Sequence, residues 1–135
     1  LDVLGAIGAA VIDGQGLFAT TGSVHAAALF DPSGRVVVTR EDVGRHNAVD
    51  KIVGALALGE DDLPDLPATG YGLFVSGRAS IEMVQKAWAA GCSTLVAVSA
   101  PTALAVDAAR RANLVLAGFV RDDGFNLYAP ESQDP

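Results

Sequence analysis

The chain has 135 residues, of which half are hydrophobic and 19% charged, with nine Lys and Arg against 16 Asp and Glu and a net charge of −7. This length predicts a single domain over residues 1–135 with a real core, and the apolar fraction excludes intrinsic disorder. The excess of Asp and Glu over Lys and Arg argues against nucleic acid as a partner. One cysteine excludes a disulfide framework and a multi-cysteine zinc site built from this chain.

The first predicted element is a helix over residues 1–12, where apolar side chains recur at helical spacing. The stretch is far shorter than the ~20 residues of a membrane-spanning helix. It also lacks the basic start of a signal peptide. We therefore expect no membrane partner and a cytoplasmic location. Because the chain begins at Leu1 rather than Met, we expect it to be a piece of a longer protein.

A β-hairpin and a helix are predicted next. Residues 25–30 and 35–40 are apolar runs joined by a turn sequence with Pro32 second and Gly34 fourth. At the start of the following helix, Asn47 and Asp50 have the spacing of a capping pair. The apolar stripe of that helix consists of Ala48, Val49, Ile52, Val53 and Leu56.

Strands and helices alternate in the second half of the chain. Strands are predicted over residues 71–75, 94–98 and 114–120, helices over 81–90 and 101–112, and a short edge strand over 125–128. Trp88 is expected to face the core from its helix. The helical crossovers predict the α/β class: a three-layer α/β/α arrangement whose sheet is mixed, mostly parallel, and begins with an N-terminal β-hairpin.

Three segments are predicted to meet at the carboxyl ends of the strands, where open α/β sheets bind ligands. They are residues 41–47, 76–80 and 99–102, and each leads into the N-terminus of a helix. Helix N-termini attract anions through their unpaired N–H groups and partial positive charge. This edge is therefore the candidate binding site.

Basic and glycine residues concentrate in the same layer, and each of them has a second interpretation. Gly44 and Gly77 allow close approach to the backbone. The basic residues of the layer are Arg40, Arg45, His46 and Arg78. In an acidic chain they favour a phosphate-bearing ligand. Alternatively, Arg40 and Arg45 form surface ion pairs with Glu41 and Asp42, and His46 is a capping or core histidine.

No catalytic residue and no metal ligand is predicted. Cys92 falls at the opposite edge of the sheet without a base beside it, and we interpret it as a structural thiol. Zinc deaminases place H-x-E and P-C-x-x-C at the starts of two successive helices. His46 and residues 76–80 occupy those positions here, but Ala48 stands where the Glu would be and both cysteines are missing. We therefore expect neither zinc nor deaminase chemistry.

Four blocks of the sequence resemble the FdhD family of sulfur-carrier accessory proteins for formate dehydrogenases. They are TGSVHAA over residues 21–27, REDVGRHNAVDK over 40–51, SGRAS over 76–80 and SAP over 99–101. The resemblance runs from Gln15 to Tyr128, and its second block is long and specific. Ser23 departs from the pattern, since the family usually shows a second glycine there.

The resemblance implies a function and a set of partners. Proteins of this family accept sulfur from a cysteine desulfurase as a persulfide. They pass it to the molybdenum or tungsten of bis(molybdopterin guanine dinucleotide), the cofactor that the formate dehydrogenase apo-enzyme receives. The resemblance also implies a fold like that of cytidine deaminase. A homodimer is a further expected partner, since two-fold dimers are the commonest oligomers.

The resemblance also implies binding residues. A cofactor-binding segment of the family matches Phe119, Val120, Arg121, Asp122, Asp123 and Gly124, in which Arg121 is either a phosphate partner or a solvated hairpin arginine. Together with Gly44, Arg45, His46, Gly77, Arg78 and His25, this segment makes up the predicted cofactor-binding set.

The persulfide loop of the family precedes the helix at which this chain starts and is not in this sequence. The resemblance therefore implies a C-terminal cofactor-binding domain whose N-terminal part is absent, either because the chain is a piece of a longer protein or because the loop was lost or cleaved. Such a domain binds the cofactor without relaying sulfur, and whether it counts as a sulfurtransferase enzyme stays open. The alternative is a non-catalytic nucleotide-binding or protein-interaction module with a deaminase-like fold.

Overall fold

The computed structural model describes residues 25–60, 63–121 and 124–129. The helix predicted over residues 1–12 and the departure at Ser23 lie outside these ranges. The described elements are β1 (His25–Phe30), β2 (Val36–Asp42), α1 (Arg45–Leu58), β3 (Gly72–Val75), α2 (Ile81–Ala89), β4 (Thr94–Ala97), α3 (Ala103–Ala112), β5 (Val115–Arg121) and β6 (Gly124–Ala129).

The strands form one sheet in the order β2-β1-β3-β4-β5-β6. β1 is antiparallel to both β2 and β3, whereas β3, β4 and β5 are mutually parallel and β6 closes the far edge antiparallel to β5. In the hairpin turn, Asp31 Oδ1 accepts hydrogen bonds from the N–H groups of Ser33 at 3.0 Å and Arg35 at 2.9 Å. The predicted mixed sheet with an N-terminal hairpin is confirmed. Its pairing is not mostly parallel, because three of the five described strand pairs are antiparallel and two are parallel.

The three described helices pack on one face of this sheet. Their buried residues share a single apolar cluster with alternate strand residues such as Leu29, Leu73 and Leu95. The intervening residues form a second buried cluster on the other face, made of Ala26, Ala28, Phe30, Phe74, Val96 and Ala117. The described residues thus supply the sheet and one helical layer of the predicted architecture. The α/β class is confirmed, and the likeness to cytidine deaminase stays a prediction.

Local details differ from the sequence predictions at two helices. α1 begins at Arg45 with Gly44 as its N-cap and has no side-chain capping bond, so the predicted Asn47–Asp50 capping pair is wrong. Asp42 organises the approach to this helix instead, because its Oδ1 accepts from the Gly44 N–H at 3.0 Å. Trp88 was expected in the core and is 63% exposed.

The helical period explains the exposure of Trp88. The buried stripe of α2 consists of Met83, Val84 and Ala87, and a residue five positions after Met83 lies well off the centre of that stripe.

Among the described residues, no helix combines the length and the apolar character that crossing a membrane requires.

Candidate functional site

The carboxyl end of β3 and the start of β1 lie together at one edge of the sheet, because these two strands are antiparallel. Two hydrogen bonds join them. The Ser76 N–H donates to the Ala26 carbonyl at 3.0 Å, and the Ala26 N–H donates to Ser76 Oγ at 2.9 Å. The loop after β3 is therefore held against the start of β1, which places His25 beside Gly77.

His25, Arg45 and Gly77 form the centre of the site. A Cβ atom added at Gly77 would lie 3.2 Å from Arg45 Cδ and 3.4 Å from His25 Nδ1. These distances are shorter than or at the lower limit of ordinary van der Waals contact. Glycine is therefore what lets a side chain from β1 and a side chain from the start of α1 pack directly on the β3–α2 loop.

Three buried polar atoms belong to the segments that meet at this edge. His25 Nδ1, Arg45 Nε and Ser80 Oγ are all inaccessible to solvent, and none has a hydrogen-bond partner among the described residues. An unsatisfied buried donor or acceptor costs about 1–3 kcal/mol, and native proteins contain few of them. Such a cluster is typical of a site in which a ligand or water supplies the missing bonds.

The N-terminus of α2 lies at the same edge. Ser80 is its N-cap, is only 8% exposed, and makes no side-chain capping bond. Glu82 follows in the first turn, and its pKa is lowered first by its own backbone N–H, next by the nearby Ser80 hydroxyl and then by the positive charges of His46 and Arg45. The approach of Ser80 Oγ to that carboxylate falls short of hydrogen-bond geometry.

Neither Ser80 nor Glu82 stands out individually in the sequence. A signal was present, since a serine followed by an acidic residue in the first turn is a common start of a helix. What the pattern could not show is that the Ser80 hydroxyl is buried and makes no capping bond to the helix.

The other basic residues of the predicted layer lie in two different places. His46 is half-buried beside Arg45, and Arg78 is exposed beside Gly77, so both lie at this edge. Arg40 does not join them, because it donates to Glu60 Oε1 at 2.9 Å and to the Thr39 carbonyl at 3.0 Å.

Asp42 and Lys51 organise the loop before α1. The Lys51 ammonium lies 3.0 Å from Asp42 Oδ2 and donates to the Glu41 carbonyl at 2.8 Å. The Gly44 N–H, and next the Lys51 ammonium, lower the pKa of Asp42 from 3.8 to about 2. The alternative in which Arg40 pairs with Glu41 or Asp42 is therefore wrong. The Gly44 amide is engaged by Asp42, and its part in ligand binding stays a prediction.

The predicted segment from Phe119 to Gly124 is described in part. β5 ends at Arg121, which pairs in register with Gly124 at the start of β6. Asp122 and Asp123 lie outside the described residues, and for their neighbours the backbone alone is described. Because β5 is parallel to β3 and β4, this segment leaves the sheet at the same edge. It is two strand positions from β3, which corresponds to roughly 10 Å.

Cys92 lies at the opposite edge, immediately before β4, as the sequence predicted. The thiol is buried, and burial raises its pKa to about 11, so it is protonated at neutral pH. Within the described ranges, no group of three His, Cys, Asp or Glu side chains is arranged to hold a metal ion. The expectation of a site without zinc stays a prediction.

Comparisons with known proteins identify the family to which the sequence is similar. The model of the FdhD/NarQ family matches residues 2–133. The sulfur carrier protein FdhD of Nocardia farcinica is 51% identical over 128 residues, which cover 95% of this chain and 44% of that protein. Its counterpart from Streptomyces coelicolor is 53% identical over 115 residues, which cover 85% of this chain and 39% of that protein. This chain thus spans less than half of the length of either relative.

A solved structure shows the same fold. A protein described as a formate dehydrogenase accessory protein, from Desulfotalea psychrophila, superposes with a TM-score of 0.83 at 29% identity. The match covers 96% of this chain and 54% of that one. The family match over nearly the whole sequence, together with these relatives, shows that the chain belongs to the FdhD/NarQ family.

Proposed function

We propose that this chain is the cofactor-binding part of a sulfur carrier that serves formate dehydrogenase. The edge that carries His25, Arg45, Gly77 and Ser80 binds a guanine nucleotide diphosphate of bis(molybdopterin guanine dinucleotide), which brings molybdenum or tungsten as cargo. One observation carries this proposal: His25 Nδ1 and Arg45 Nε, whose side chains lie against Gly77, and Ser80 Oγ, at the N-cap of the helix that follows, are buried polar atoms without a partner among the described residues. The chemical identity of the ligand is the one that the resemblance to the family implies.

The charge distribution favours a diphosphate at this position. The chain as a whole has a net charge of −7, yet Arg45, His46 and Arg78 gather beside the N-terminus of α2. Guanidinium groups bind phosphate oxygens through paired N–H groups, and each bond to a charged partner contributes about 1.5–3 kcal/mol. Helix N–H groups add a smaller attraction of about 0.3–1 kcal/mol.

Sulfur transfer requires a second part of the protein. A persulfide forms on a reactive thiolate, and the only cysteine of this sequence, Cys92, is buried with a raised pKa at the wrong edge. We therefore assign the cysteine that accepts sulfur from a cysteine desulfurase to a part of the whole protein outside this sequence. This chain then acts as its C-terminal domain, in the cytoplasm, where thiols stay reduced.

Titration with GDP tests the binding proposal. We expect saturable binding by calorimetry at low salt, weakening as salt rises. Arg78→Ala should weaken it about tenfold, the equivalent of 1.4 kcal/mol. Arg111→Ala is the matched control, since this arginine is 81% exposed on the last turn of α3 and pairs with Asp107 at 3.0 Å.

Two results would contradict the proposal. One is an absence of GDP binding by protein whose circular dichroism shows an intact fold. The other is an equal loss of affinity in the Arg78 and Arg111 variants, which would show that net charge alone attracts the nucleotide.

A further inference from the structure

Glu82, in the first turn of α2, is an acidic side chain at an edge that otherwise gathers positive charge. Two other carboxylates of this edge among the described residues are engaged or point elsewhere. Asp42 is bonded to a backbone N–H and to a lysine ammonium of α1. Glu41 pairs with Ala26, whose side chain belongs to the apolar cluster on the other face of the sheet. Directly paired residues point to the same face, so Glu41 points away from the candidate site.

The Glu82 carboxylate lies on the side of α2 that faces α1. Lys86, one helical turn further along the same side, bonds to Asp50 of α1. Glu82 is exposed, and its pKa is lowered first by its own backbone N–H, next by the Ser80 hydroxyl and then by the two basic residues that begin α1. It is therefore ionised at neutral pH and lies within the field of those cations, although it forms no ion pair within the described ranges.

A carboxylate at this place opposes the binding of phosphate. The positive charges of Arg45, His46 and Arg78 attract phosphate, and a negative charge beside them reduces that attraction. A site for phosphate alone would bind more tightly with a neutral side chain in this position. The carboxylate therefore indicates a ligand that carries hydrogen-bond donors as well as phosphate, since bonds from such donors offset the repulsion and exclude ligands that lack them.

The buried Ser80 hydroxyl is a second indication that a ligand takes part. Ser80 is 8% exposed, and its Oγ has no hydrogen-bond partner among the described residues. It lies beside the Glu82 carboxylate without reaching hydrogen-bond geometry. A hydroxyl that donates to one carboxylate oxygen fixes the orientation of the carboxylate and leaves its other lone pairs to accept from a ligand. A small movement of the Glu82 side chain on ligand binding supplies the bond that Ser80 lacks.

The ring of the nucleotide carries donors of the required kind. Guanine presents an N1–H and a 2-amino group side by side, and one carboxylate can accept from both through its two oxygens. Adenine presents the bare N1 lone pair at the same place, which a carboxylate repels. The pterin ring of the same cofactor shares the arrangement of guanine, since an N–H lies next to its 2-amino group. Both rings are 2-amino-4-oxopyrimidines at this edge.

We propose that Glu82 determines which ring this site accepts. Its carboxylate, oriented by the Ser80 hydroxyl, accepts from the N–H and the 2-amino group of a 2-amino-4-oxopyrimidine ring. The basic residues of the same edge bind the phosphates. This assignment rests on the function proposed above and adds to it the residue that selects guanine or pterin over adenine. Ser80 is a positioning residue, since it acts through Glu82.

Calorimetric titration with GDP, IDP and ADP tests the assignment. IDP lacks the 2-amino group, so the wild type should bind GDP about tenfold more tightly than IDP and about a hundredfold more tightly than ADP. Glu82→Gln should bind GDP and IDP within about twofold of each other, while its affinity for inorganic pyrophosphate stays the same or rises. Asp107→Asn is the matched control and should keep the wild-type preference, since it removes one negative charge from α3, where the carboxylate pairs with Arg111 at 3.0 Å.

The outcomes separate this assignment from the function on which it rests. An absence of GDP binding overturns both. A wild type that binds GDP without preferring it to IDP, or a Glu82→Gln variant that keeps the preference, overturns the assignment alone. Competition distinguishes the two rings: displacement of GDP by guanosine but not by pterin assigns the guanine, the reverse assigns the pterin, and displacement by both shows that the shared edge is recognised. Displacement by neither refutes recognition of the ring.

Discussion

Replacing Gly77 by alanine adds one methyl group at the centre of the site. The new Cβ would lie 3.2 Å from Arg45 Cδ, 3.4 Å from His25 Nδ1 and 3.5 Å from His25 Cε1. Two carbon atoms prefer a separation of about 3.5–4.0 Å. Arg45 must therefore move by a few tenths of an ångström. The new methyl group also lies against the His25 ring and restricts its position.

We expect this change to separate stability from binding. Gly77 has no left-handed backbone angle, so alanine gains about 0.4–1 kcal/mol from the restricted unfolded chain. The tight contacts offset that gain, and the free energy of unfolding should stay within about 1 kcal/mol of the wild type. The affinity for GDP should fall about tenfold, because the Arg45 guanidinium no longer lies where the phosphate needs it.

Gly54→Ala is the matched control. Gly54 lies inside α1, and a Cβ added there meets nothing within 4 Å. Alanine should stabilise this helix by about 1 kcal/mol and leave GDP affinity unchanged. Urea unfolding gives the free energies, and calorimetric titration gives the affinities. Equal GDP affinities of the Gly77→Ala protein and the wild type would refute the assignment of the His25–Arg45 contact to ligand binding.

Three further predictions concern single side chains. The pKa of Asp42, about 2, lies below its ordinary 3.8, so its ionised form stabilises the fold above about pH 4 and this contribution is lost as pH falls toward 2. The difference in melting temperature between wild type and Asp42→Asn should shrink over that range; a constant difference would contradict the pKa. Cys92 should react with iodoacetamide at pH 8 only as fast as the chain unfolds, and rapid labelling of folded protein would show an accessible thiolate. Thr102→Ala, which removes a 3.1 Å capping bond, should cost about 1 kcal/mol. Ser80→Ala should lower the free energy of unfolding by less than Thr102→Ala does, and yet it should weaken GDP binding. A larger loss of unfolding free energy in Ser80→Ala than in Thr102→Ala, measured by urea unfolding, would contradict the geometry.

Much of the fold follows from local sequence patterns. The hairpin turn needs only a side-chain carboxylate and a glycine at Gly34. The helices of the second half show apolar residues every three or four positions, and the strands between them are continuously apolar. Both signals are carried by neighbours in the chain, and this is why the element order and the mixed sheet were predictable. The family resemblance was equally a property of contiguous blocks.

The wrong predictions concern the N-cap of α1 and the ion-pair partner of Arg40. In both cases a residue elsewhere in the chain takes part in the contact. Asp42 bonds to the Gly44 N–H and to Lys51, nine residues away, and the N-cap of α1 is Gly44, three residues before the Asn47 that the pattern indicated. Arg40 pairs with Glu60, twenty residues away, rather than with its sequence neighbours. A side chain's partner depends on which groups the fold brings within reach, and spacing along the chain does not contain that information.

The residue types of the candidate site and its edge of the sheet were evident from the glycines and basic residues that follow each strand. Which atoms meet there depends on the antiparallel placement of β1, which brings His25 to Gly77, 52 residues later in the chain, and to Arg45, 20 residues later. Burial of the Ser80 hydroxyl and the place of β2 at the end of the described sheet likewise exist only once the sheet has assembled. Periodicity and turn chemistry depend on residues that are near neighbours in the chain. Packing between segments far apart in the chain decides which side chains are buried, which polar groups lack a hydrogen-bond partner and which strand lies at the end of the sheet.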